Sequence, residues 1–402
     1  LFDLAIHGRV YAGELAEAWV SIKDGVIVKV SSEPAGRAAA TLELDDAQIL
    51  IPAATDLHVH LRDWTQAEKE TVETGTKSAL AGGVTTVADM PNTVPKLETG
   101  ELVEARVQLL KDRSFVDFAI HAAPPAESAE LRKIRRAGAF ALKLYPPDLP
   151  SFRGLLKRAG SEGLKMAVHA EDEKMLAAGR SPEAELVAVR KILGEVGPRS
   201  QVRFAHLSTS EAAHAVLAKK QSHAGLTIEV APHHLFMDSR TSMARIGEAS
   251  RVNPQLRSQA NSRAMRGLLK EGCFDFYATD HAPHTLKDKL TKGAPGFPGL
   301  ELALPLFLTK TEDVPLLCRM FCEAPAAYLG TRKGKISPGY CADLVVLSRR
   351  RWRVDPEKFV SKARVTPFVG EELRFAVDQV LMRGSTVYRE GGFVRHPALL
   401  AR

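Results

Sequence analysis

Residues 54–62 read Ala54-Thr55-Asp56-Leu57-His58-Val59-His60-Leu61-Arg62, an apolar run that ends in two histidines and an arginine at two-residue spacing. In a strand, side chains two apart share a face. His58, His60 and Arg62 therefore project to one side at a strand's end. Two imidazoles placed so can hold one cation, Zn2+ or a similar borderline ion. The pair alone is weak evidence, because two histidines near a strand end are more often its polar rim, so the rest of the chain has to decide.

Seven more strand-like runs follow: Thr85–Met90, Phe115–His121, Phe140–Tyr145, Lys165–His169, Val202–His206, Leu226–Val230 and Phe274–Thr279. Helix-patterned segments lie between them, for example Glu70–Ala81, Leu102–Lys111 and Glu183–Gly194. Eight strands alternating with helices predict an α/β fold, a (β/α)8 TIM barrel over residues 51–333. No Gly-x-Gly-x-x-Gly follows a strand, which argues against a dinucleotide-binding fold. A barrel demands that its chemistry sit at the C-terminal ends of its strands. His58 and His60 end the first run, Lys143 lies near the end of the fourth, His169 and His206 end the fifth and sixth, and Asp280 follows the eighth.

The two ends of the chain read as β. Asp3–Tyr11 and Ala18–Val30 are strand-like, with Lys23-Asp24-Gly25 as a hairpin turn. Ala342–Leu347 and the two runs of Phe375–Tyr388 around Arg383-Gly384 match them from the other end. Residues 1–50 and 334–402 are thus expected to pair into a small β-sandwich module, with the barrel inserted between them.

Of the 402 residues, 45% are hydrophobic and 26% charged, ample for a core and unlike a disordered chain. No window approaches 18 uninterrupted apolar residues, and Leu1–Val10 has neither the basic nor the apolar region of a signal peptide. No membrane association is expected. The net charge is +7, with the densest basic clusters at Arg132–Arg136 and Arg349–Arg353. There is no RNP-like aromatic motif, finger spacing or basic tail, so no nucleic-acid partner is expected. Four cysteines do not make a disulfide scaffold, and Cys318 and Cys322 read as buried thiols on one helical face. A reducing, cytoplasmic setting is expected.

Four histidines at strand ends plus Asp280 make a candidate binuclear metal site, which then needs a bridge. Lys143 stands inside the apolar Ala141-Leu142-Lys143-Leu144. Burial lowers an ammonium's pKa, and a neutral amine can take up CO2 to give a carbamate with two anionic oxygens. A lysine that snorkels to the surface is the other reading.

These motifs together resemble the amidohydrolase superfamily, and more narrowly the dihydroorotases. Three further stretches sharpen the resemblance: Met90-Pro91-Asn92-Thr93, Arg251-Val252-Asn253-Pro254-Gln255-Leu256-Arg257 and Thr279-Asp280-His281-Ala282-Pro283-His284. The resemblance covers nearly the whole chain. It implies two Zn2+, one on His58, His60, carboxylated Lys143 and Asp280, the other on Lys143, His169 and His206. It implies that Arg62, Asn92 and His284 bind a substrate carboxylate, that Asn253 touches the ring, and that Gly293–Gly299 covers or contacts it. The implied reaction is the reversible cyclisation of N-carbamoyl-L-aspartate to L-dihydroorotate, the third step of de novo pyrimidine (UMP) biosynthesis. It would use a hydroxide shared by the metals, with Asp280 as general acid and base.

The bland readings stay beside these roles: Arg62 as a rim salt bridge, Asn92 as a turn residue, His281 as structural. Glu229, on the seventh strand, is expected to be either an extra metal ligand or a supporting salt bridge. His233 and His234 are expected to be structural, and His7, His121, His214, His223 and His396 to be surface or packing residues. The chain departs from the family after Arg62, where Asp63-Trp64-Thr65 replaces the common Glu-Pro-Gly. The alternatives within the superfamily are a hydantoinase or dihydropyrimidinase, or an allantoinase. Hydantoinases typically place a tyrosine five residues after the bridging lysine, where this chain has Asp148. An alternative of another class is an inactive structural partner of aspartate transcarbamoylase, but such relatives lose metal ligands and this chain keeps them. Association with that enzyme as an active partner, and a homo-oligomer, are both compatible with the sequence.

Overall fold

The computed structural model describes residues 1–401. Eight parallel strands follow one another in space in chain order: β1 Ala54–Val59, β2 Val84–Asp89, β3 Asp117–Ala122, β4 Ala139–Leu144, β5 Lys165–Val168, β6 Val202–Phe204, β7 Leu226–Val230 and β8 Phe276–Tyr277. The ring closes where Val59 bridges His281 and the His60 amide donates to the His281 carbonyl at 2.8 Å. Inside that seam the buried Asp56 carboxylate accepts from the Thr279 amide at 3.1 Å. The strands are buried along almost their whole length, as parallel strands between a filled interior and a helical coat must be.

A helix follows each strand. Several begin on a side-chain cap in the loop above the barrel: Thr71 before Val72–Ala81, Thr99 before Gly100–Arg113, Ser181 before Pro182–Glu195 and Thr209 before Ser210–Lys220. Each cap supplies an acceptor for an orphan amide of the first turn. The strands are shorter than the apolar runs predict. His60, His169, His206 and Asp280 all lie just beyond the last paired residue of their strands. Arg62, His206 and Asp280 have φ of +51°, +36° and +47°, a left-handed backbone that non-glycine residues rarely adopt. The chain leaves the ladder at these points and turns the side chain over the barrel mouth. Such strain concentrates at functional sites.

The terminal segments build a second β body of nine hydrogen-bonded strands, five from Phe2–Pro52 and four from Leu344–Phe393. Leu344–Ser348 pairs antiparallel with Gln48–Pro52, which joins the two ends of the chain. Asp24 and Gly25 both have positive φ, 51° and 74°, the twist a two-residue hairpin turn requires. Ile6, Val20, Ile22, Leu50, Leu344 and Leu381 pack as its core. Residues 352–373 depart from the expected module. Val354, Phe359, Phe368 and Leu373 pack against Met237, Val252, Phe297 and Leu306 of the barrel instead, because their apolar side chains find cover there. All four cysteines are free, and Cys318 and Cys322 are buried.

Candidate metal centre and substrate cleft

At the C-terminal mouth of the barrel, one nitrogen each of His58 and His206 and an oxygen of Asp280 lie within 4.8 Å of one another. The Nε2 atoms of His58 and His60 both stand 3.3 Å from Asp280 Oδ1. Lys143 Nζ is 3.5 Å from His58 Nε2, and the rings of His169 and His206 meet edge to face at 4.6 Å. The sequence thus brings residues from β1, β4, β5, β6 and β8 to one point.

In three of the four histidines one nitrogen is held by an acceptor, which sets the tautomer. His58 Nδ1 is 2.6 Å from Glu229 Oε1, and His60 Nδ1 is 2.6 Å from Asn92 Oδ1. His169 Nε2 is 2.6 Å from Glu171 Oε2, so its Nδ1 is the atom left for a ligand. His206 Nδ1 is buried with no partner. Burial, reinforced by neighbouring cationic groups, holds His58, His60 and His206 well below the usual imidazole range, so each keeps a lone pair free. Burial likewise lowers the Lys143 ammonium and raises the Asp280 carboxyl. This donor set, neutral imidazoles with a carboxylate and an amine that burial brings down to about 7, fits divalent cations of the zinc kind.

Glu229 is committed to the protein. Besides His58, its Oε1 accepts from the His206 amide at 3.1 Å, and its Oε2 pairs with Arg203. Arg203 also donates to the Leu57 carbonyl at 3.0 Å and contacts His121 Nε2 at 2.6 Å. Sequence reading missed Arg203 entirely. The signal was a charged residue inside the apolar Val202-Arg203-Phe204. His121 belongs to this internal network, with Nδ1 3.2 Å from the Asp89 carbonyl. His233, expected to be structural, comes within 4.0 Å of Asp280 Oδ2.

A cleft of about 530 Å³ opens beside these groups, lined among others by Arg62, Asn92, Tyr145, Asn253, His284 and Gly296. Arg62 is 4% exposed. Its guanidinium reaches His284 Nε2 at 3.1 Å and the Pro283 carbonyl at 3.3 Å, and it has no ion pair among the described residues. Burial and Arg62 together pull the His284 imidazole down to about 2. Tyr145, two residues past Lys143, brings a buried hydroxyl with no partner into the same cleft. The unusual Asp63 caps the turn Trp64–Gln66 and accepts from the Val72 amide at 2.9 Å, so this loop is anchored by its own carboxylate. His281 turns away from the cleft, with Nε2 3.5 Å from the buried Glu70.

Residues 49–387 match the model of the amidohydrolase family. A dihydroorotase of Thermococcus kodakarensis is 30% identical over 99% of this chain and 97% of its own length. A dihydroorotase of Archaeoglobus fulgidus is 32% identical over 94% of this chain and 95% of its own. Among solved structures, an L-hydantoinase (dihydropyrimidinase) of Arthrobacter aurescens superposes with a TM-score of 0.93 at 24% identity, covering 100% of this chain and 99% of that one. A dihydropyrimidinase of Brevibacillus agri gives 0.90 at 21%, covering 99% and 98%. At such identities the structures share a fold, while the sequence relatives place the chain more narrowly. This chain belongs to the amidohydrolase family and, within it, to the dihydroorotases.

Proposed function

We propose that this chain catalyses the reversible cyclisation of N-carbamoyl-L-aspartate to L-dihydroorotate and water, the ring-closing step of pyrimidine biosynthesis. The observation that carries the reading is Arg62. A buried guanidinium without a carboxylate of its own, facing a cleft beside a metal-type donor cluster, is a receptor for an anionic substrate.

His58, His60, Asp280 and carboxylated Lys143 would hold one Zn2+, and Lys143, His169 and His206 the other. Bound there, the cations would lower the pKa of water and polarise a carbonyl. The chain's own residues do the rest. Arg62 and His284 take the substrate carboxylate, and the Nδ2 of Asn92 joins them while its Oδ1 stays on His60. Asn253 contacts the ring, and its place in the cleft fixes which face the ring presents. In the hydrolytic direction Asp280 takes a proton from the attacking water and delivers it to the departing ring nitrogen. Its Oδ1 lies between His58 and His60, so Oδ2 is the atom that carries the proton. In cyclisation the same oxygen accepts the proton of the ureido nitrogen as the ring closes.

The test is ultraviolet-monitored turnover of L-dihydroorotate by zinc-loaded protein, with hydantoin and dihydrouracil run in parallel. Selective loss of dihydroorotate is expected. Preference for either uncharged ring would remove the carboxylate role of Arg62 and leave a hydantoinase-type amidohydrolase.

A further inference from the structure

One wall of the cleft is made from two separate segments, Val252–Asn253 and Pro295–Gly296. A single buried ammonium joins them. Lys289, on the helix Leu286–Lys292, is 1% exposed. Its Nζ donates to the carbonyl oxygens of Arg251 at 3.0 Å, Ala294 at 3.3 Å and Gly296 at 2.7 Å. Those contacts occupy all three of its hydrogens. The Phe297 ring lies 4.6 Å from the same nitrogen. A charge this deep is expensive to bury, and burial together with Arg251 brings the ammonium down to about 7, while its hydrogens bond carbonyl oxygens drawn from both segments.

The wall is held from its other side too. The Ala282 amide donates to the Phe297 carbonyl at 2.9 Å, while on the Lys289 side the Gly296 amide donates to the same Arg251 carbonyl that Lys289 uses, at 3.0 Å. Gly296 has φ +136°, and a Cβ there would fall 2.4 Å from the Ala282 carbonyl oxygen. The segment is thus pressed flat against Ala282 of the Asp-His-Ala-Pro-His stretch, with Lys289 behind it.

We propose that Lys289 is a positioning residue for the substrate: its ammonium fixes Asn253 and the backbone of Pro295–Gly296 as one preformed wall, so that 293–299 serves as a rigid surface and not as a moving cover. This deepens the proposed function and rests on reading the cleft as the substrate site.

The experiment uses the zinc-loaded full chain and the variants Lys289→Met, Lys289→Arg and Gly296→Ala, with kinetics on L-dihydroorotate, metal content and hydrogen–deuterium exchange. Lys289→Met removes the charge at near-constant volume. It should raise KM about tenfold or more, change kcat far less and keep the metal, the pattern of lost uniform binding. Deuterium uptake should quicken at 251–253 and 293–299 and stay unaltered in the barrel strands. Lys289→Arg, which keeps a cation and donors, should recover part of the KM loss. Gly296→Ala pushes the wall from the opposite side and should show the same KM signature, which keeps the test alive if Lys289→Met does not fold. Unchanged KM, unchanged exchange, or parallel loss of metal and kcat in the folded variants would overturn the proposal. If the wild-type chain leaves dihydroorotate untouched, the substrate reading fails, and the exchange data still decide whether Lys289 pins the wall.

Discussion

Glu229 stands behind His58 with its Oε1 2.6 Å from the imidazole Nδ1, and this contact decides which nitrogen of His58 faces the centre. Nε2 is left toward Asp280 and Lys143. A carboxylate placed behind a ligand histidine orients the ring and strengthens it as a donor, and losing it typically costs about 10- to 100-fold in metal affinity or activity. Glu229→Gln keeps the shape and removes the charge, so metal affinity measured by competitive chelation should fall within that range. Unaltered affinity would reduce Glu229 to a packing residue. Both variants leave the buried Arg203 without its carboxylate, at a cost of about 3–5 kcal/mol in unfolding free energy, and Glu229→Ala should do more because it also removes the acceptor of the His206 amide.

Lys143 carries the second prediction. Its amine is fully buried, has no carboxylate within ion-pairing distance among the described residues, and is lowered by that burial. Lys143→Ala should lose both bridged metal and turnover, with the fold retained by circular dichroism. Retention of two metals per chain with normal turnover would sink the bridge. Removing bicarbonate and CO2 during metal loading should mimic the variant in the wild-type protein, since an uncarboxylated amine offers one donor where the bridge needs two.

Arg62 should separate from the metal residues. Hydrogen bonds to charged groups are worth about 1.5–3 kcal/mol, so Arg62→Met should raise KM for dihydroorotate by roughly 10- to 100-fold. Metal content should not change, because the guanidinium bonds to His284 and Pro283 and not to the cluster. An unaltered KM would argue that Arg62 only braces the barrel rim.

Much of this candidate site was legible because strand runs lead to it, even though His60, His169, His206 and Asp280 lie just past the paired residues. His58 and His60 share a face by their two-residue spacing, and apolar runs deliver Lys143, His169 and His206 to the same end of the barrel. What supports them was not legible, since each support comes from another strand or a loop. Arg203 gains its meaning only from Glu229 on the neighbouring β7. His121, which reads as a surface or packing residue, is buried between Arg203 and the Asp89 carbonyl. Glu171 and Lys289 sit in segments whose path the local sequence does not dictate. Residues 352–373 carry the same lesson for the fold. Their place in the chain suggests the terminal β body, but Phe359 and Phe368 bury against the barrel.

The joint between barrel and β body depends on a buried charge cluster, and this gives the stability prediction. Lys333 Nζ pairs with Asp343 at 2.7 Å and also with Asp117 of β3, and Arg383 reaches Asp117 at 2.7 Å. The Arg383 amide donates to Asp343 Oδ1 at 2.9 Å. Burial works to raise the Asp343 carboxyl, but Lys333 outweighs it and holds the group below its ordinary value. Burial likewise works to lower Lys333, and the two carboxylates outweigh it and hold the ammonium above its ordinary value. A depressed carboxyl contributes stability that is present above its unfolded pKa, about 3.9, and is lost as pH falls through the folded value. A raised ammonium contributes stability that is present below about 10.4 and is lost as pH rises through its folded value. The joint should therefore be intact between those limits and fail in acid. Lys333→Met leaves the buried Asp343 carboxylate without a cation and Asp117 with Arg383 alone, which should cost about 3–5 kcal/mol in urea unfolding at pH 7. The same variant should flatten the acid limb, because Asp343 no longer has its main partner. Equal stability of the wild type and Lys333→Met at pH 7, or an acid limb of unchanged steepness, would mean that the apolar contacts between barrel and sheet hold the joint without the charges.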